Sequence, residues 1–350
     1  MPIDLEMQSS TRLSADPRVG WAVVGLGYLS REWIGPALVR SDTSRLAAVV
    51  AGPGDDVEAW QRGHQLAERQ VHELSSFDRM LEDPRVEVVC VVLPNALHAE
   101  FTVRALAAGK HVFCEKPMAV GSGECRRMMA AAEAAGRQLG VGYRCRLDAR
   151  FRACVRAAAE REFGRLLLVE GGLGIEVGEP GQWRLRRDLA GGGAMMDVGI
   201  YLIQVARALA GEEPVEVHAM AHRADAGKFA EVEETVAWTM RFPSGVLASL
   251  TTSYAGTGPN YFRAQAERGH FGMDPAFSYC GNRAFCSRPG HFDGLGEADH
   301  FLTQIDAFAQ TVRGGGIYPF GGGEGLRDLL VIEALYRSLR EGRPVVPELP

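Results

Sequence analysis

The sequence predicts an α/β protein of two domains. Three observations support this prediction. The chain is long, short apolar runs alternate with longer amphipathic ones up to residue 143, and the apolar runs beyond that residue are closely spaced. The chain has 350 residues, which is more than a single hydrophobic core usually serves. We therefore expect an N-terminal arm over 1–17, a parallel-sheet domain over 18–143 and an α+β domain over 144–350, with a C-terminal helix that could return to the first domain.

The apolar runs of the first domain are nearly continuous, which is typical of parallel strands covered on both faces. They predict strands at 21–24, 46–50, 86–93, 111–114 and 139–141. Helix-like stretches separate the runs, as βαβ units require.

The second domain shows a different pattern. A helix is predicted at 148–160, followed by apolar runs at 166–169, 215–219, 232–242 and 246–254. The later runs alternate between apolar and polar residues, which indicates a mainly antiparallel sheet. Amphipathic helices are predicted at 299–312 and 325–339.

Composition excludes several classes of function. The formal net charge of −6 argues against a general binder of nucleic acid or membrane surfaces. The first 16 residues have no apolar core of a secretory signal, so we expect a cytoplasmic protein. No metal site is predicted, because His218 and His222 stand four apart on a strand-like run, where their rings do not converge.

A glycine motif, Gly25-Leu26-Gly27-Tyr28-Leu29-Ser30, follows the first apolar run and opens a helix-like stretch. This is the context of a dinucleotide fingerprint, in which the first two glycines allow a tight turn and close approach to a pyrophosphate. Ser30 replaces the third glycine. We expect cofactor contacts at Gly25, Gly27, Tyr28 and Leu29; the alternative is a structural strand-to-helix turn.

The end of the second strand bears on the choice between NAD and NADP. It reads Ala51-Gly52, without the acidic residue that would hold a ribose 2′-hydroxyl, and both residues are predicted to contact the cofactor. This leaves room for a 2′-phosphate, although Asp55 and Asp56 follow and would repel one if they pointed inward. The sequence gives NADP a slight preference over NAD.

Three residues far apart in the chain are the candidate catalytic groups. Lys116 follows a predicted strand, where its ammonium could stabilise a developing alkoxide. Asp197 stands four residues before Tyr201, so on a helix both face the same way. Tyr201 would act as the acid or base, with Lys116 favouring its ionised form, and Asp197 would orient substrate hydroxyls. Each residue has a structural alternative: Lys116 as a solvated lysine, Asp197 as a helix cap and Tyr201 as an aromatic residue of the core.

Several motifs together resemble one family of oxidoreductases in order and spacing. They are Leu93-Pro94-Asn95-Ala96-Leu97-His98, Cys114-Glu115-Lys116-Pro117, Gly142-Tyr143-Arg144-Cys145, Gln182-Trp183-Arg184-Leu185-Arg186-Arg187 and the segment 191–201. The chain resembles the glucose-fructose oxidoreductase and inositol dehydrogenase (Gfo/Idh/MocA) family over 19–347, and most closely its glucose-fructose oxidoreductase branch.

The resemblance implies a Rossmann domain followed by an open-faced sheet domain, a bound nicotinamide cofactor and a sugar or polyol substrate. It also implies a homodimer or homotetramer formed through the open sheet face. With the chemistry of the side chains, it predicts further cofactor contacts at Leu93, Pro94, Asn95, His98, Glu115, Lys116, Arg144, Trp183 and Arg184. Substrate contacts are predicted at Lys116, Arg144, Asp197, Tyr201 and Tyr254.

The expected function is transfer of a hydride between nicotinamide C4 and a carbinol carbon of a cyclic sugar or polyol. The resemblance favours oxidation of an aldose, with reduction of a second sugar as a coupled step. Two alternatives stay open. One is a non-catalytic nucleotide-binding sensor. The other is a reductase of an imine, enone or dihydrodiol, because Arg146, Leu147 and Ala149 stand where the branch has His, Tyr and Pro.

Overall fold

A computed structural model describes residues 16–64 and 70–349. Its first sheet has six parallel strands in the order β3-β2-β1-β4-β5-β6. The strands are β1 Val19–Val24, β2 Ser44–Ala51, β3 Val71–Glu73, β4 Val88–Val91, β5 His111–Glu115 and β6 Leu139–Gly142. Strands β1 to β3 are added towards one edge of the sheet and β4 to β6 towards the other, so the strand order has a switch point between β1 and β4. Ligands bind at such a switch point in open α/β sheets.

Helices connect these strands: α1 Gly35–Arg40, α2 Val57–His64, α3 Phe77–Leu81, α4 Asn95–Ala107 and α5 Ser122–Ala135. Every residue of β1 and of β4 is buried. This burial is the physical reason that the apolar runs are continuous rather than alternating.

The second sheet has seven strands in the order β13-β12-β11-β7-β10-β9-β8. They are β7 Leu166–Gly174, β8 Glu216–His222, β9 Thr235–Arg241, β10 Leu247–Ser253, β11 Asn260–Ala266, β12 Gly269–Met273 and β13 Ala284–Cys286. Only the pair β7 and β10 is parallel, so the predicted mainly antiparallel sheet is confirmed. Strands β11 to β13 were not predicted.

The second domain also contains α6 Ala149–Ala159, α7 Arg187–Ala190, α8 Ile200–Ala210, α9 His300–Val312 and α10 Gly322–Glu341. The helical run Arg187–Ala210 is long and apolar enough to cross a membrane, but 78% of its most apolar window is buried inside the fold. Packing in the core therefore accounts for its apolarity.

The C-terminal helices pack on the first domain. The Phe308 ring of α9 lies 5.8 Å from that of Trp21 and 5.3 Å from that of Phe113, centroid to centroid. Glu333 of α10 accepts a hydrogen bond of 2.9 Å from the Ser122 hydroxyl. The last part of the chain thus completes the core of the first domain. Most of the predicted arm, residues 1–15, lies outside the described residues.

Candidate active site

The glycine loop after β1 is shaped for close approach. Gly25 has a φ of +93°, and a Cβ there would meet the Val92 carbonyl oxygen at 2.5 Å, so only glycine fits. A Cβ on Gly27 would meet nothing within 4 Å, which leaves open space above the loop. The buried Ser30 hydroxyl donates to the carbonyl oxygens of Gly25 at 2.6 Å and Gly27 at 3.0 Å. Ser30 therefore holds the turn from the position of the missing third glycine.

A cavity of about 740 Å³ extends from this loop to the second domain. It is lined by most of the predicted cofactor residues: Gly25, Gly27, Tyr28, Leu29, Gly52, Leu93, Pro94, Asn95, His98, Glu115, Lys116, Arg144, Trp183 and Arg184. Ala51 is the exception. It is buried as the last residue of β2 and is not among the lining residues, so its contact with the cofactor stays a prediction.

The three candidate catalytic residues meet at one end of the cavity. Lys116, directly after β5, donates from Nζ to the Asp197 carbonyl oxygen at 2.7 Å and to Asp197 Oδ1 at 2.9 Å. The same Nζ lies 4.7 Å from the centroid of the Tyr201 ring. Asp197 belongs to a π-helical turn, Met195–Gly199, that leads into α8, where Tyr201 is the second residue. Such turns often occur at functional sites.

Asp197 is more fully engaged than the sequence suggested. Its Oδ2 accepts from Arg184 Nε at 3.0 Å and from the Tyr254 hydroxyl at 2.9 Å. Burial alone would raise the pKa of Asp197, but Lys116 and Arg184 outweigh it and hold that pKa well below its usual range. Burial disfavours the charge on Lys116, yet Asp197 and Tyr201 raise the pKa of Lys116 above its ordinary value. The ion pair is therefore fully charged at neutral pH, and Asp197 anchors the lysine.

Tyr254, a predicted substrate contact, is bonded to Asp197 in this structure. This side chain is fully buried directly after β10 and does not line the cavity. Burial and the neighbouring Asp197 raise the pKa of Tyr254 well above its ordinary value, so its hydroxyl is a fixed donor to that carboxylate. Tyr254 supports Asp197 from behind.

Arg144 is buried and tightly held beside Tyr201. Its guanidinium donates to the carbonyl oxygen of Phe277 at 2.6 Å and to that of Ser278 at 3.0 Å. Its Cζ lies 5.5 Å from the Tyr201 ring centroid and 4.5 Å from that of Tyr279. The positive charge of Arg144 is thus held over the tyrosine.

The side chains of Asn95 and His98 bond to the backbone in this structure. Asn95 Nδ2 donates to the Ala190 carbonyl oxygen at 2.8 Å, which joins α4 to α7 of the second domain. The ring nitrogens of His98 lie 2.8 Å from the Leu93 carbonyl oxygen and 2.9 Å from that of Pro117. Burial lowers the pKa of His98. Both residues shape the cavity by fixing the loops that form it.

Other cavity residues escaped the sequence analysis as site residues, namely Asn260, Phe277, Ser278, Tyr279 and Phe301 from the last third of the chain. Hydrophobic periodicity does not indicate which loops of a second domain fold over the first. Asp55 was noticed only as a possible source of repulsion. In the structure its Oδ2 accepts from the backbone N–H of Gly52 at 2.7 Å and of Leu26 at 2.9 Å.

The parallel sheet carries a glycine loop at its switch point, and a lysine, an aspartate and a tyrosine lie at the far end of the same cavity. This combination defines a nicotinamide-dependent oxidoreductase. The chain belongs to the Gfo/Idh/MocA family. The model "Oxidoreductase family, NAD-binding Rossmann fold" matches residues 19–143. The "GFO/IDH/MocA C-terminal domain" matches 151–271, and the family's "C-terminal alpha/beta domain" matches 294–346.

Several relatives of this chain are named as sugar oxidoreductases, and others as trans-1,2-dihydrobenzene-1,2-diol dehydrogenases. The crystal structure of an aldose-aldose oxidoreductase from Caulobacter crescentus is 37% identical, covers 94% of this chain and 99% of its own, and superposes with a TM-score of 0.87. A 1,5-anhydro-D-fructose reductase of Ensifer adhaerens is 32% identical over 68% of this chain and 71% of its own length. A D-xylose 1-dehydrogenase [NADP(+)] of Haloarcula marismortui is 28% identical over 96% of this chain and 94% of its own. The chain is accordingly an NAD(P)-dependent oxidoreductase of the sugar dehydrogenase and reductase type.

Proposed function

We propose that this protein moves a hydride between nicotinamide C4 and a carbinol carbon of a cyclic sugar, with Tyr201 as the acid and base. The observation that carries the proposal is the position of the Lys116 ammonium, 4.7 Å from the Tyr201 ring and fixed by Asp197 at 2.9 Å. A cation held there favours negative charge on the tyrosine oxygen or on a substrate alkoxide.

The residues present fit a dinucleotide. The open space above Gly27 admits a pyrophosphate, and the backbone N–H groups at the start of the following helical turn would hold it. The nicotinamide half of the cofactor would be enclosed by other cavity residues, which include Leu93, Lys116, Trp183 and Arg184. The bound nicotinamide supplies the hydride acceptor or donor at its C4.

Side chains of the protein transfer the proton that accompanies the hydride. Tyr201 takes the proton of the sugar hydroxyl as the carbon–hydrogen bond breaks, and it returns a proton to the carbonyl oxygen in the reverse direction. Lys116 and Arg144 stabilise the charge that develops on oxygen. Asp197 keeps Lys116 in place, since three donors already occupy its carboxylate.

We propose that the two substrates of the reaction are both aldoses. This step rests on the likeness to the Caulobacter enzyme, at 37% identity over nearly the whole chain. One aldose would be oxidised at its anomeric carbon to a lactone, and the hydride and proton would then pass to the carbonyl carbon and oxygen of a second, giving an alditol. We still predict that the protein belongs to the glucose-fructose oxidoreductase branch of the family. We also still predict that it is located in the cytoplasm.

For the cofactor, the geometry favours NAD, in contrast to the slight preference for NADP that the sequence suggested. Asp55 lines the cavity beside Gly52, at the end of β2 where the adenosine ribose would lie. Among the described lining residues, the lysine and arginine side chains are Lys116, Arg144 and Arg184, all at the catalytic end. A carboxylate without a nearby cation accepts a hydrogen bond from a ribose hydroxyl and repels a phosphate.

The experiment mixes purified protein, without added nucleotide, with an equimolar pair of aldoses, one of them isotopically labelled. The lactone takes up one water molecule in solution to give the aldonic acid, so formation of aldonic acid and alditol in equal amounts is the expected result. The Tyr201→Phe variant should lower turnover by roughly 100-fold or more, the usual scale for a positioned proton-transfer group, while binding of nucleotide stays unchanged. Tyr261→Phe, on β11 and away from the cavity lining, is the matched control.

Other results would identify the alternatives. Turnover that requires added nucleotide and one sugar indicates an ordinary sugar dehydrogenase. Activity only with a dihydrodiol, imine or enone indicates the second reductase class. Tight nucleotide binding with no turnover of any of these substrates contradicts the proposed function and indicates a sensor.

A further inference from the structure

A buried polar pair lies directly behind Arg144. His300 is the first residue of α9 and Asp148 caps the N-terminus of α6, and each is at most 2% exposed. His300 Nδ1 lies 3.3 Å from Arg144 Nη1, and His300 Nε2 lies 2.6 Å from Asp148 Oδ2. The three residues form a continuous row that ends at the cation beside Tyr201.

The chemistry of the row fixes where the histidine proton lies. A guanidinium nitrogen can only donate, so Nδ1 of His300 must accept from Arg144. The ring proton is then on Nε2 and is donated to Asp148. Asp148 Oδ1 accepts from the backbone N–H of Arg150 at 2.6 Å and of Phe151 at 3.3 Å, so the carboxylate cannot turn.

Other groups around the pair are consistent with this arrangement. Burial raises the pKa of Asp148, but the hydrogen bonds from His300 and from the backbone lower it below its ordinary value. Arg150 Nη1 lies 3.9 Å from Asp148 Oδ2 and places a positive charge beside that carboxylate. The rings of Tyr279 and Phe301 face Arg144, with its Cζ 4.5 and 5.8 Å from their centroids.

We propose that Asp148 and His300 are positioning residues that hold the Arg144 guanidinium against Tyr201 and thereby set the rate of the chemical step. The inference rests on the proposed function of Tyr201. Two carbonyl oxygens, of Phe277 and Ser278, hold Arg144 from one side, and His300 holds it from another. An arginine side chain has many rotamers, so each fixed acceptor restricts the positions that the Arg144 guanidinium can take.

Substitutions at His300 separate this role from simple packing. The amide oxygen of asparagine can replace Nδ1 as the acceptor for Arg144, whereas the amide of glutamine reaches to the place of Nε2 and Asp148. His300→Leu and His300→Gln should each lower kcat about tenfold or more, with the substrate KM within about twofold. His300→Asn should restore most of kcat.

The matched control is another histidine and carboxylate pair in the same domain. His291 Nε2 lies 2.6 Å from Glu162 Oε2, but its side chain is 30% exposed and does not line the cavity. His291→Leu should therefore leave kcat and KM unchanged. Thermal unfolding of all variants shows which of them are folded, and Asp148→Asn is a second variant should His300→Leu not fold.

A crystal structure of His300→Leu supplies a readout that does not require turnover. The guanidinium should move away from Tyr201, beyond the 5.5 Å seen between Arg144 Cζ and the ring centroid. An unmoved guanidinium, or a glutamine variant as active as the asparagine variant, overturns the inference while leaving the proposed function intact. An inactive wild-type protein overturns the proposed function instead, and the structure of the variant still decides whether His300 places Arg144.

Discussion

At the scale of single residues, the two neighbouring aspartates after β2 have different roles despite the same charge. Asp55 turns inward, accepts from the backbone N–H of Gly52 and Leu26, and lines the cavity. Asp56 Oδ1 accepts from the backbone N–H of Ala59 at 2.9 Å, in the first turn of α2. The sequence named both as possible repulsive charges, and only the fold distinguishes them.

The first prediction tests whether Asp55 accepts a hydrogen bond from the adenosine ribose and thereby favours NAD over NADP. Asp55→Asn keeps an oxygen acceptor for the two backbone donors but removes the negative charge. We expect the ratio of NADP to NAD affinity to rise by about tenfold, equal to about 1.4 kcal/mol. Fluorescence titration of both nucleotides, after the bound nucleotide has been removed from the protein, measures the ratio. Asp56→Asn is the control, and an equal change in both variants would show that Asp55 has no special role.

Glu115 is a second residue whose behaviour depends on burial. It is 7% exposed beside Lys116, and burial raises its pKa from 4.5 to about 7, against the charge of Lys116. The folded protein therefore binds a proton that the unfolded chain has lost between these values. Its contribution to stability is complete below pH 4.5 and declines as pH rises to about 7.

Glu115→Gln should remove this decline. The free energy of unfolding of the wild type, compared with that of the variant, should fall by up to about 3 kcal/mol between pH 4.5 and about 7, and remain level above that range. Denaturant unfolding across this range measures it. Glu58→Gln, whose parent side chain is 84% exposed, is the control. A wild type and Glu115→Gln variant with parallel pH profiles would contradict the prediction.

At the scale of elements, the glycine-rich segment before Asp197 is shaped by its packing. A Cβ on Gly192 would lie 1.9 Å from the Tyr336 hydroxyl oxygen, and one on Gly193 would lie 2.2 Å from the Glu233 carbonyl oxygen. The buried Glu233 Oε1 accepts from the backbone N–H of Gly193 and of Met195, each at 3.0 Å, and from Tyr336 at 2.8 Å. These contacts hold the start of the π-helical turn.

We therefore expect Glu233→Ala to destabilise the protein and to lower its activity. Two buried backbone donors lose their acceptor, which costs about 3 kcal/mol in the free energy of unfolding. Denaturant unfolding and the turnover assay measure the two effects. Glu233→Gln, which keeps an oxygen acceptor, should recover part of both. Glu160→Ala, at an exposed glutamate at the end of α6, should change stability by about 0.5 kcal/mol or less. Equal losses in the two alanine variants would refute this role for Glu233.

At the scale of the whole molecule, one face of the second sheet is left uncovered by the described residues. Buried and exposed residues alternate along β9 and most of β10, and the exposed set includes Thr239, Ser249 and the 48% exposed Leu247. Ser249 pairs with Thr239 on one side and with Glu170 on the other, so it lies within the sheet rather than at its edge. We propose this face as the interface of a homodimer or homotetramer.

Light scattering of the wild type should therefore give the mass of two or four copies. Ser249→Arg places a long charged side chain at the proposed interface and should shift the mass towards that of one copy. Ser244→Arg, in the exposed turn between β9 and β10, adds the same side chain away from the face and should change nothing. A monomeric wild type, or a Ser249→Arg variant of unchanged mass, would exclude this face as the interface.

Much of the first domain follows from local sequence. The continuous apolar runs of β1 and β4 reflect burial on both faces, and the motif from Gly25 to Ser30 reflects a turn that only small residues can form. The predicted bounds differ from the observed ones by a few residues, because strand ends are set by partners in the sheet. Lys116, Asp197 and Tyr201 were found from motif chemistry, and the fold places them at one end of one cavity.

The tertiary structure alone decided which groups face one another. Asp55 and Asp56 look alike in sequence, Tyr254 resembled a substrate contact but lies behind Asp197, and Ala51 is withdrawn from the cavity. His300 and Asp148 gave no signal, since they stand far apart in the chain and approach only when α6 and α9 pack together. Periodicity and spacing report on local conformation and burial. The direction of a side chain and the partner it meets depend on long-range packing, which a single sequence does not encode locally.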